Sequence, residues 1–85
     1  MTNEITCTMD IQLTADLISS SRVIAKGERI RDVQGLVAKY GGRRSKWTKE
    51  SSPPFEVEGA ACEFHWYECH GVGRFEIKLK VISRR

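Results

Sequence analysis

The chain has 85 residues, 40% of them hydrophobic, and a formal net charge of +3. That length supports one small core and leaves no room for a second lobe or a cofactor-enclosing enzyme, so a single domain over residues 1–85 with no cofactor is expected. No apolar run approaches the roughly twenty residues of a membrane-crossing helix. The opening Met1-Thr2-Asn3-Glu4 also lacks the basic and apolar regions of a secretory leader, so the expectation is no membrane partner, a cytoplasmic location and reduced thiols at the three cysteines.

Residues 5–13, rich in Thr and Ile with partial alternation, suggest a short strand or an extended arm. The spacing over 14–25 predicts a first helix, with Thr14 as its cap, Asp16 in its first turn and Gly27 near its end. Residues 28–40 predict a second helix, because Ile30, Val33, Val37 and Tyr40 fall on one stripe with Leu36 beside them, and Gly41-Gly42 stops it. Its opposite face carries Arg29, Arg31, Asp32 and Lys39. Residues 43–52 form an early strand or a tight loop, Pro53-Pro54 breaks it, and residues 55–58 alternate as a short strand before Gly59.

The last third is a β-hairpin, with residues 61–68 and 74–81 as its strands and a glycine-bearing turn between them. The fold class is therefore α+β: one or two N-terminal helices packed on the apolar face of a three- to four-stranded antiparallel sheet that ends in a long hairpin.

Alternation sorts the hairpin into two faces. Cys62, Phe64 and Trp66 fall on one side, and Glu63, His65, Tyr67 and Cys69 on the other. Reversal about Gly71 and Val72 sets Glu63 opposite Lys80, His65 opposite Lys78, Tyr67 opposite Glu76 and Cys69 opposite Arg74.

This polar face has the groups for metal-independent RNA cleavage. His65 could act as a base, Arg74 and Lys78 as phosphate clamps, and Tyr67 or Glu76 as a second proton-transfer or orienting group. The alternative is a solvated face carrying cross-strand ion pairs.

No acid lies between Asp32 and Glu50, whereas Lys39, Arg43, Arg44, Lys46 and Lys49 all do. With Trp47 among them and Lys80 nearby in the hairpin, these cations have the composition of a nucleic-acid contact, although a lone tryptophan between helices and a sheet is more often a core residue. Cys62, His65, Cys69 and His70 do not make a zinc site, because strand parity separates Cys62 from the rest and no paired Cys-x-x-Cys knuckle exists. Cys69 reads as an incidental thiol near the turn.

The run Ile30-Arg31-Asp32, Leu36-Val37, Tyr40-Gly41-Gly42, Lys46-Trp47, Lys49, Ser51-Ser52, Glu63, His65-Trp66-Tyr67-Glu68, Gly71-Val72-Gly73-Arg74, Glu76, Lys78 and Lys80 resembles the C-terminal modules of bacterial polymorphic toxins of the contact-dependent inhibition and Rhs type. The resemblance covers residues 28–81. Several such modules share a small nuclease fold with barnase, the EndoU enzymes and the RelE toxins, in which N-terminal helices pack on a curved antiparallel sheet. It implies RNA cleavage without metal through His65, Arg74 and Lys78, with RNA as partner and an antitoxin or immunity protein as a second one. A non-catalytic module binding nucleic acid or protein is the alternative, and an exposed edge strand could support a homodimer.

Overall fold

A computed structural model describes residues 12–84. The strand or arm expected over residues 5–13 falls almost entirely outside them. Thr14 caps helix α1 (Ala15–Ser19) by accepting a hydrogen bond from the Leu17 amide at 3.2 Å. The helix expected to reach residue 25 stops here, because Ser19-Ser20-Ser21 offers hydroxyls that compete for the backbone. The β-branched pair Val23-Ile24 then enters strand β1 (Arg22–Lys26).

The second predicted helix is also shorter. Gly27, at φ +57°, opens a 3₁₀ turn (Gly27–Arg29), and the α-helix proper, α2 (Val33–Tyr40), starts behind Asp32. The Asp32 carboxylate accepts from the Gly35 amide at 3.2 Å. Gly41, at φ +91°, ends the helix, and its carbonyl accepts a 3.0 Å bond from the Trp47 indole.

A second 3₁₀ turn (Arg44–Lys46) leads into β2 (Trp47–Ser51). After the prolines come β3 (Phe55–Val57), β4 (Ala60–Cys69) and β5 (Gly73–Arg84). All pairings are antiparallel. β1 lies on β2, and β2 and β3 lie in succession along one edge of β4, while β5 runs along the other edge. Among the described residues the sheet thus has five strands, one more than the upper count expected from sequence, because residues 22–26 join it.

At the break between β2 and β3, Ser52 keeps the ladder closed. Its amide donates to the Phe64 carbonyl, and its hydroxyl accepts from the Phe64 amide, both at 2.9 Å. No described strand pairs with the outer edge of β5, where Lys78 and Lys80 stand among exposed Ile77, Val81 and Ile82. Charges of this kind on a long edge disfavour strand addition.

The core contains Ile30, Val33, Leu36, Trp47 and Cys69, with Val37, Tyr40, Tyr67 and Phe75 packed against it. The Tyr40 and Phe75 rings stack at 4.0 Å, with Trp47 tilted at 5.8–6.1 Å from both. Because Tyr67 and Cys69 share the side of β4 that carries His65, α2 covers half of the face expected to be polar. Cys69 is therefore a buried core thiol rather than an incidental one. On the reverse face Cys62, Phe64 and Trp66 are also buried, with Phe55 stacked on Phe64 at 5.4 Å.

Candidate nucleic-acid interface

The hairpin register decides which side chains meet. Away from the turn it follows the expected reversal, with Glu63 opposite Lys80 and His65 opposite Lys78. Between His65 and Tyr67 the register slips by one, because β5 carries an extra residue at Ile77-Glu76, and Glu76 takes φ +58°.

Two consequences follow. Tyr67 faces Phe75 instead of Glu76, and Glu68 faces Arg74. Arg74 thereby leaves the His65 face. It forms an ion pair with Glu68 at 3.3 Å, on the side where Glu68 also accepts from the Trp66 indole at 3.1 Å. The grouping of His65, Arg74 and Lys78 expected from alternation is not formed.

The bulge has a physical return. It turns Phe75 under α2 and aims the Glu76 carboxylate at the helix, where it accepts from the Tyr40 hydroxyl at 2.9 Å and from Lys39 at 3.3 Å. The Tyr40 bond first, and then Lys39, hold the Glu76 carboxyl below its ordinary range. The same contact raises the Lys39 and Tyr40 values.

His65 belongs to a second network. Glu63, only 8% exposed, accepts from the Ser51 hydroxyl at 2.9 Å and from His65 Nε2 at 3.0 Å through one oxygen, and meets Arg22 at 3.5 Å through the other. The His65 bond is the main cause that keeps the Glu63 carboxyl low, against the opposing effect of burial. Ser51 is 0% exposed, so its hydroxyl anchors this carboxylate and reaches no solvent.

His65 Nδ1 is buried and meets no partner among the described residues. With Nε2 engaged and Nδ1 covered, the imidazole presents no free nitrogen for proton transfer to a bound substrate.

What the face does present is charge around Tyr67. Lys49 stands over the Tyr67 ring at 5.8 Å. A narrow groove of about 50 Å³ brings Lys49, His65, Tyr67, Glu76, Lys78 and Lys80 together. On the other side of Tyr67, Arg29 and Arg31 border a wider concavity with Lys49. Arg29, Arg31, Lys49, Lys78 and Lys80 have no ion-pair partner among the described residues.

Of the cations expected from the 39–49 segment, Lys49 joins this surface. Arg43, Arg44 and Lys46 are exposed at the far end of β2, about 13 Å from His65 along the strand by its rise per residue. There Arg44 pairs with Glu28 at 3.4 Å. Trp47 is 0% exposed, so it packs the core and cannot stack on a base. A continuous helix over 28–40 would set Arg29 and Arg31 on its outer face, away from this surface. The capping chemistry of Asp32 is the sequence signal that frees them from that placement.

No family model matches the sequence, and neither the curated proteins nor the solved structures compared with it give a match. Among the described residues no three His, Cys, Asp or Glu side chains are arranged to hold a metal, and no helix is long and apolar enough to cross a membrane.

Proposed function

We propose that this chain is an RNA-binding module that engages the phosphate backbone through the surface around Tyr67. The observation that carries the proposal is the set of five cations, Arg29, Arg31, Lys49, Lys78 and Lys80, gathered on one face without described carboxylate partners. Cations without ion-pair partners among the described residues, set beside an aromatic ring, suit a polyanion whose counterions are released on contact. The hairpin's likeness to polymorphic-toxin modules favours RNA as that polyanion.

Fluorescence anisotropy with a labelled RNA oligonucleotide tests this. Affinity should fall steeply from about 50 to 200 mM salt. Lys78→Ala with Lys80→Ala should lower both the affinity and the salt slope, by about one unit of slope for each phosphate that is no longer neutralised. Arg74→Ala, on the reverse face, should change neither.

A cleaving toxin is the second reading, favoured by the groove that keeps His65, Tyr67, Glu76 and Lys78 together. It is weakened by the departure of Arg74 and by an imidazole with one nitrogen bonded and the other covered. Binding alone predicts intact RNA after incubation with the purified protein and no growth arrest on expression in a bacterium. Discrete fragments that persist in EDTA and vanish with His65→Ala would restore the cleavage reading.

A further inference from the structure

The concavity beside Tyr67 has more structure than a charged surface requires. Its volume is about 460 Å³, within the range of small-molecule sites. Ile24, Ala25 and Ile30 supply an apolar wall, and Tyr67 supplies an aromatic one. Arg29, Arg31 and Lys49 stand around the same space.

Three features of the chain create it. The bulge in β1 leaves Ile24 unpaired between Val23 and Ala25, the 3₁₀ turn after Gly27 brings the arginines forward, and the late start of α2 keeps the helix from filling the gap. None of these would be needed to display cations.

We infer that this concavity is a pocket for one unpaired nucleotide, with the base against Tyr67 and Ile24 and the phosphate held by Arg29 and Arg31. The inference rests on the RNA-binding proposal and narrows it to single-stranded RNA. A base can enter an apolar, aromatic-walled recess only when it is neither paired nor stacked within a duplex. A duplex offers such a recess nothing but phosphates, and the apolar wall then contributes no binding.

The test compares a single-stranded RNA of about twelve nucleotides, a length within the usual site size of such modules, with the same sequence annealed to its complement. Each is measured against the full chain and two variants, Ile24→Glu and the double variant Arg29→Ala with Arg31→Ala. All three altered positions are exposed, so folding should survive, as thermal melts would verify.

The expected result is a preference of about tenfold or more for the single strand, lost in Ile24→Glu and reduced in the double arginine variant. Adenosine monophosphate should also shift the Ile24 methyl and Tyr67 ring resonances in NMR spectra. Equal affinity for both RNA forms with Ile24→Glu unaffected, while the arginine pair and Lys78→Ala with Lys80→Ala still weaken binding to both forms alike, would overturn the pocket and leave the RNA-binding surface standing. Absence of binding to either RNA at low salt would overturn both.

Discussion

Along one face of β4, Cys69 and Tyr67 lie under α2, while His65 and Glu63 lie beyond it among Ser51, Arg22, Lys78 and Lys80. One end is closed by aromatic packing around Trp47, and the other by hydrogen bonds converging on a single carboxylate. The first end holds the helix in place. The second bonds an imidazole beside Lys78 and Lys80, which have no ion-pair partner among the described residues. Substitutions in the aromatic packing and at the exposed cations should therefore separate stability from binding.

The largest effect is expected at the packed end. Trp47→Ala removes a fully buried indole and its bond to the helix terminus, which should cost about 3–5 kcal/mol in denaturant unfolding. An eight-residue helix has no stability of its own, so α2 should be lost together with the core.

Gly42→Ala comes next. A Cβ there would sit 2.7 Å from Cys69 Sγ on a backbone at φ +81°, and the loss should be about 1–3 kcal/mol. Gly71→Ala, at a similar φ of +83° but with open space around it, isolates the backbone cost and should be the milder of the two in thermal melts.

At the polar end, Ser51→Ala takes one donor from the buried Glu63 carboxylate and should cost about 1–3 kcal/mol. The pH dependence sharpens the same point. A carboxyl held below its unfolded value of 4.5 adds stability above that pH, and the contribution disappears as pH falls through the lower folded value. Thermal melts should thus lose stability on acidification below about 4.5. Glu63→Gln should flatten that dependence, with the Glu76 contribution remaining.

The smallest stability effect belongs to Lys78→Ala with Lys80→Ala, within about 0.5 kcal/mol for exposed positions. The loss there should appear in RNA affinity instead.

Much of the hairpin was legible because strand alternation is local. Cys62, Phe64 and Trp66 share the buried reverse face, and His65 meets Lys78 across the ladder, as the pattern of the two strands requires. The Asp32 cap and the glycines after Tyr40 were equally visible as residue types, although the helical stripe through Ile30 concealed where the helix begins. Residues 22–26 misled for a related reason: five residues joining a sheet edge carry too few positions to distinguish a strand from the end of a helix.

Residue type and spacing were enough for the α+β class, the two-faced β4 strand and the excess of cations, because each is a local property of the chain. Tertiary structure alone decided which of those cations share a surface. The bulge at Glu76 arises where Phe75 stacks on Tyr40 and Glu76 bonds to the helix, contacts with partners more than thirty residues away. A single inserted residue moves Arg74 to the other side of the sheet, because side chains on a strand alternate and a shift of one reverses them all.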